Sequence, residues 1–434
     1  MKAPSSTTFA LLGALLIAIS YGLARFAFGL FVPPIRDDLQ LTPYMVGVIG
    51  ALPLISFVFA TLVAPLSAIR LGARNTAMAS GVFGAVGLGL ISQASGVVSL
   101  SVGVIACGIC TGLMMPALTA AMQALVDRSV HGRVSSVMNA GTSVGVAVAV
   151  PAVLFMAGQW RWAYMAFAVL AVIGLVATWY FIPSVSRVRP ANAAQPPISA
   201  LQWWRLFRLS LFAFAMGFVS AAYWIFAPDL ASTLGALPAG STAWLWLGVG
   251  IAGLGGAVVA DLADRNNPPI TQALMLMMLA SSLALLAASP GQIVIAVFSA
   301  LVFGLAYMSL TGLYLMTGIR LLPGRLSMGP VLPFVAVSLG QAAGSPVVGL
   351  LVDELGYANG FSIFAVLGIV VAMLSPLYPR YLEWEPDEEA EEDTGLQAAY
   401  DYQLQDEEGE PITESSEEWS YEEDGWDVGE SGKQ

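Results

Sequence analysis

Apolar residues in this chain do not alternate with polar ones; they run in blocks of roughly twenty, broken by short polar stretches. Twelve such blocks are long enough to cross a bilayer: 8–33, 44–69, 76–95, 98–122, 134–157, 162–182, 206–228, 242–262, 270–288, 291–317, 331–352 and 360–379. In lipid an open strand would leave its backbone groups unpaired, so each block is expected to be a helix. The predicted fold class is an all-α membrane protein with twelve transmembrane helices. The first block follows Lys2 as a secretory leader would, but it continues past Ser20 without a small-residue cleavage site, so it is expected to be retained as the first helix.

Charge changes this picture in two ways. Of the 29 acidic residues, 21 fall from Glu383 onward, which leaves a membrane body with 8 acidic and 16 basic side chains. That body makes no case for nucleic acid. Residues 381–434 are acidic and poor in aliphatic side chains, which predicts a disordered cytoplasmic tail. The basic residues also orient the helices. With the N-terminus inside, the bulk of the arginines fall in cytoplasmic breaks, while Arg36 and Arg161 fall outside. Both termini are therefore expected in the cytoplasm.

The longest internal break, 184–204, separates two halves that echo each other. Gly22 and Gly217, Pro33 and Pro228, and Arg70 and Arg265 are each 195 positions apart. Gly132, Arg133, Val134 and Ser135 match Gly324, Arg325, Leu326 and Ser327. The pattern predicts a duplicated six-helix unit: residues 1–183, a linker over 184–204, and residues 205–380.

Candidate chemistry is sparse. Arg25 stands mid-block with no acid near it in sequence; insertion scales put the cost of such an Arg at ~2.5–3.5 kcal/mol. Its open readings are contact with a solute, bracing of backbone carbonyls, or snorkelling outward. His131 is the single histidine, so no histidine-based metal site is expected. Cys107 and Cys110 have CxxC spacing inside an apolar block and are expected to be packing residues. Gly248, Val249, Gly250, Ile251, Ala252 and Gly253 spell GxGxxG, yet within a membrane block this predicts close helix packing, not nucleotide binding. Lys2 and Lys433 are the only lysines, so no phosphate loop exists and ATP is not expected to act on this chain. No cofactor and no enzymatic activity are expected, since a membrane nucleophile–base set is lacking.

Residues 8–380 resemble the major facilitator superfamily. Its loop between helices 2 and 3 reads G-x-L-A-D-R-x-G-x-R; Arg70, Leu71, Gly72, Ala73 and Arg74 match the end of that motif, with Ile69 in place of the Asp. Leu262, Ala263, Asp264 and Arg265 repeat it in the second half. Trp160, Arg161, Trp162, Ala163 and Tyr164 resemble the outer start of helix 6. Gly141, Gly145 and Pro151, and Gln341, Gly344, Pro346 and Gly349, follow its small-residue habits in helices 5 and 11.

The resemblance implies two pseudo-symmetric six-helix bundles and transport by alternating access in a bacterial inner (plasma) membrane. It also implies a monomer whose partners are a small-molecule solute and the bilayer. Helices 1, 4, 7 and 10 would line the site. On that basis the candidate solute-binding residues are Tyr21, Arg25 and Phe28, at i, i+4, i+7 spacing on one face; Thr111 and Met115; Tyr223 and Trp224; Tyr307 and Thr311; and Gln341 from helix 11. Arg70, Arg74, Asp264 and Arg265 would form a cytoplasmic gate. No Asp or Glu is placed within the depth of helices 1, 4, 7 or 10, which argues against carboxylate-based proton coupling, and Arg25 is the one charge placed deep in a helix. The leading expectation is a small organic anion held by Arg25. The alternatives are efflux of apolar or cationic compounds, or a membrane sensor acting through the acidic tail.

Overall fold

The computed structural model describes residues 4–127, 130–156, 158–183, 198–237, 240–265, 268–322, 329 and 331–375, with the side chains of 257–265 and 268 excepted. The linker from 184 to 197, the Gly324–Ser327 match and the acidic tail lie outside the described residues, as do the side chains of Asp264 and Arg265. By contacts the chain divides into Met1–Leu382 and Glu383–Gln434; the first of these is described here.

The described residues form twelve helices. They are α1 (Ser6–Leu39), α2 (Pro43–Leu71), α3 (Ala73–Ser92), α4 (Val97–Leu125), α5 (His131–Phe155) and α6 (Trp160–Phe181). The second set is α7 (Ala200–Thr233), α8 (Ala243–Arg265), α9 (Pro268–Ala288), α10 (Ile293–Leu321), α11 (Val331–Leu355) and α12 (Tyr357–Leu374). Among the described residues, eleven of these are long and apolar enough to cross a membrane, and α8 adds the apolar stretch Ala243–Gly256 up to where its side chains cease to be described. Their outer faces carry bare aromatic and aliphatic side chains such as Phe155, Val98 and Phe59, as lipid-facing surfaces do.

Local signals set the helix ends. Thr42 caps α2 by accepting from the Met45 amide, with Pro43 in the first turn, where its missing N–H costs nothing. Ser199 and Gln202 form a reciprocal capping box at the start of α7. Gly72 and Gly356 take φ of 84° and 81° at the α2–α3 and α11–α12 turns, a region closed to most side chains. Gly72 belongs to the sequence motif, so its place there has a steric reason.

The two halves repeat the same pairings. In the first, α1 packs on α5, α2 on α4, and α3 on both α4 and α6; in the second, α7 packs on α11, α8 on α10, and α9 on both α10 and α12. Between halves, α2 crosses α11, α5 crosses α8, and α1 meets α7. Glycines permit these approaches. A Cβ on Gly29 would overlap the Trp224 carbonyl, and one on Gly22 would run into the Gly145 backbone of α5. Gly250 lies against Ser143 and Ala147 of α5, and Gly253 against Met308 of α10, so the GxGxxG stretch is a packing surface.

Helix α1 is not a continuous α-helix. Ala18–Phe26 is π-helical, with the Ala27 amide bonding Gly22 five residues back. Neighbours brace this stretch. Thr111 Oγ1 of α4 donates to the Ser20 carbonyl at 3.0 Å, and Trp246 Nε1 of α8 donates to the Phe26 carbonyl at 3.2 Å. The face assignment for Tyr21, Arg25 and Phe28 assumed regular α spacing. The wider turn replaces that spacing over Tyr21 and Arg25, although Arg25 and Phe28 still line one cavity and Tyr21 and Arg25 both meet Phe57.

Candidate substrate site

Arg25 sits within the π stretch and is 7% exposed, which excludes outward snorkelling in this conformation. Its guanidinium reaches the other half. Nη2 donates to Ser338 Oγ and to Gln341 Oε1, both at 3.1 Å, on α11. Gln341 Nε2 in turn donates to Tyr307 Oη at 3.1 Å on α10 and to Ser220 Oγ at 3.4 Å on α7. Ser220 is the position that matches Arg25 in the repeat. One polar network thus joins α1 to the three inner helices of the second half.

Aromatic rings enclose that network. The Arg25 Cζ lies 4.6 Å from the centre of the Phe57 ring, 5.2 Å from Phe26 and 5.9 Å from Phe334. Tyr21 packs on Phe57 and Phe334. Trp224 packs on Phe26 at 4.3 Å and against Tyr307 at 5.1 Å. A guanidinium has five N–H donors; the two on Nη2 are used, while Nε and Nη1 are buried without a hydrogen-bond partner. Among the described residues no carboxylate pairs with Arg25. A cavity of about 40 Å³ adjoins it, lined by Phe28, Leu54, Trp224, Ile225 and Gln341 among others. That is room for a water or two, so a larger solute needs the halves to part.

The structure therefore gathers Tyr21, Arg25, Phe28, Trp224, Tyr307 and Gln341 around one point. Others of the candidate set sit elsewhere. The Thr111 hydroxyl bonds the Ser20 and Cys107 carbonyls. The Thr311 hydroxyl bonds the Tyr307 carbonyl. Tyr223 stacks on Phe303 at 4.0 Å and bonds Ser299, both on α10. Met115 is half-buried on α4. Ser338, Phe57 and Phe334 join the site without having been singled out in the sequence; ordinary residues in apolar blocks, they carry no signal there.

A family model described as Major Facilitator Superfamily matches residues 14–328. The chain belongs to the Major Facilitator Superfamily. No curated protein sequence matches it. Among solved structures, a bacterial homologue of the human lysosomal transporter Spinster, in an inward-facing and unoccupied conformation, is similar at a TM-score of 0.73. It has 13% identity, over 89% of this chain and 100% of that one. The nucleoside transporter NupG is similar at 0.69, with 15% identity over 88% and 99% of the two chains. At such identities the likeness is one of fold. The protein is a multi-pass membrane transporter of the superfamily, working by alternating access.

Of the four residues expected to form a gate at the terminal face, the side chains of Arg70 and Arg74 are described. Arg70 is exposed, and Arg74 stacks on Trp179 of α6 at 4.1 Å, within its own half. Contact between halves is ionic at the opposite end. Arg36 Nε lies 3.5 Å from Asp229 Oδ1, Arg36 Nη1 donates to Tyr357 Oη at 2.9 Å, and Tyr357 Oη donates to Asp229 Oδ2. Asp353 of α11 accepts from the Tyr44 amide at the start of α2, at 2.8 Å. In the first half, Arg161 ties Asp38 (2.7 Å) to the Ala94 carbonyl (2.8 Å).

Asp229 lies just beyond the expected end of helix 7 at residue 228. Helix α7 runs five residues past Pro228, so Asp229 lies inside it, fully buried. Helix 7 thus carries a fully buried carboxylate near its outer end, while Arg25 stands mid-helix in α1. The one available signal was its place directly after the repeat-matched Pro228, where the first half has Pro34.

Proposed function

We propose that the solute is a small organic anion whose acidic group is bound by Arg25. The observation that carries this reading is the pair Nε and Nη1, three N–H groups buried beside a cavity with no acceptor. A buried cation without a counter-ion is costly, and a carboxylate is the acceptor whose geometry fits a guanidinium edge. Tyr21, Phe28, Trp224 and Tyr307 would cover the apolar or planar remainder of the solute. The strong bias of arginines to the terminal face supports cytoplasmic termini in a bacterial inner membrane. With that orientation, the conformation is closed outward and faces inward. Packing supports this: α1 meets α7 directly, while α4 and α10 have no comparable contact among the described residues.

The test is a thermal-shift screen of the purified protein against small carboxylates, amines and neutral drugs, then counterflow of the best hits in proteoliposomes. Carboxylates should stabilise the parent, and Arg25→Lys and Arg25→Ala should remove both the shift and the counterflow while still inserting. Undiminished counterflow by Arg25→Ala overturns the reading.

A second reading rests on the Arg25–Ser338 and Arg25–Gln341 bonds, which fit a brace between halves. With Arg25 as a brace, the solute is apolar or cationic and is expelled. Amines or neutral compounds stabilising parent and variant equally would favour it.

A further inference from the structure

Arg36, Asp229 and Tyr357 join three helices, α1, α7 and α12, across the boundary between halves, at the end away from the termini. We infer that Asp229 is a proton-binding site whose ionisation state decides whether that end is closed. Arg25 is not part of this cluster; about 16 Å of helix rise separates it from Arg36.

The geometry supports a proton-operated lock. Asp229 is fully buried, and the Arg36 side chain is 20% exposed. One carboxylate oxygen takes a hydrogen bond from Tyr357; the other, Oδ1, is buried with no hydrogen-bond donor, facing Arg36 Nε at 3.5 Å. The charge pair is therefore the main hold on Oδ1, and Oδ1 has an open acceptor site. Other charges around it are few. Helix α1 adds Asp37, 3.6 Å from Arg36 Nη2 and exposed; Asp38 is taken by Arg161. The adjoining end of α2 brings Tyr44, whose amide holds Asp353 of α11, with Glu354 beside it. The adjoining ends of α9 and α10 bring no charged residue.

The step balances simply. A proton from water at that face binds Oδ1 and forms an O–H bond. The ion pair with Arg36 is lost, and the guanidinium keeps its charge with Asp37 as a surface partner. The open state then binds one proton more than the closed state, so falling pH favours opening.

The experiment is a pulsed spin–spin distance measurement on the full chain in lipid nanodiscs. Cys107 and Cys110 are replaced by Ala, and labels are placed at Gln93→Cys in the first half and Gln292→Cys in the second, both exposed at this end. In the parent, the long-distance population should rise at least about fivefold from about pH 8 to about pH 5. Asp229→Asn should show the long distance at every pH, and Asp229→Glu should keep the pH response. A pH-invariant parent, or an Asp229→Asn variant with the parent's response, overturns the inference. Should Asp229→Asn fail to insert, Tyr357→Phe carries the test. It removes only the hydroxyl, so the opening midpoint must move to higher pH, and an unmoved midpoint overturns the inference equally. Failure here leaves the anion reading of Arg25 standing, because none of these variants touches it.

Discussion

Arg25 and Gln341 lie 316 positions apart in sequence and 3.1 Å apart in space, and the contact joins the two halves of the transporter. Gln341 offers its carbonyl oxygen to the guanidinium while its amide holds Tyr307 and Ser220. Under the anion reading, Gln341 thus occupies Nη2, next to the Nε and Nη1 edge that an acidic group would take. An anion drawn to that edge would neutralise the guanidinium, weaken its hold on Gln341, and so loosen one half from the other.

Gln341→Glu should therefore mimic the bound solute. The carboxylate supplies a counter-ion of nearly the same shape, so thermal stability should rise by a few degrees, and affinity for the anion should fall at least about tenfold. Melting curves with and without the best ligand of the screen check both. Ligand stabilisation equal to the parent's would place the solute away from this pair.

Gly29→Ala should weaken the contact of α1 with α7, since its methyl would meet the Trp224 carbonyl. Overpacking of this kind costs about 1–3 kcal/mol. Gly89→Ala on α3 is the control; nothing lies within 4 Å of its new methyl, and as a helix-interior Gly→Ala change it should be neutral or slightly stabilising. Chemical or thermal unfolding of the two variants side by side gives the comparison.

Trp246→Phe and Thr111→Val should each destabilise the π stretch of α1. Both keep most of the side-chain bulk and remove the donor to a buried carbonyl, Phe26 in one case and Ser20 in the other. Leaving such a carbonyl unpaired costs about 1–3 kcal/mol. Faster amide hydrogen exchange confined to the residues around 18–27 would locate the effect; a uniform loss across α1 would count against it.

Deleting Glu383–Gln434 should leave transport within about twofold of the parent, because the residues gathered around Arg25 all lie in the unit Met1–Leu382. Counterflow in proteoliposomes measures it. Complete loss of function would favour the sensor reading of the chain.

Much of this architecture is legible in the sequence, because its main cause is local. An apolar block of bilayer length must be a helix, and the glycines and prolines that punctuate the blocks mark their ends and crossings. Arg25 is legible for the same reason, as a charge where hydrocarbon is expected. The π stretch is not legible. It depends on Thr111 and Trp246 arriving from other helices, and nothing within Ala18–Phe26 announces a wider turn. Asp229 is hidden differently. After Pro228 it reads as the end of a membrane block, and its partners Arg36 and Tyr357 are brought to it only by the packing of α1 and α12 on α7. Polar groups that work across the boundary between halves are invisible to any reading that takes one segment at a time.

The π stretch gives α1 a phase error. Each i→i+5 bond encloses one residue more than an i→i+4 bond, so the stretch takes up extra chain and shifts the sequence register between the segments before and after it. Deleting a residue between Ala18 and Phe26 would let the stretch close to α spacing while its flanks keep their direction. The helix itself would gain regularity. Arg25, however, lies within the stretch, so the tighter turn would draw its guanidinium off Ser338 and Gln341, while Arg36, beyond the stretch, would keep its place against Asp229.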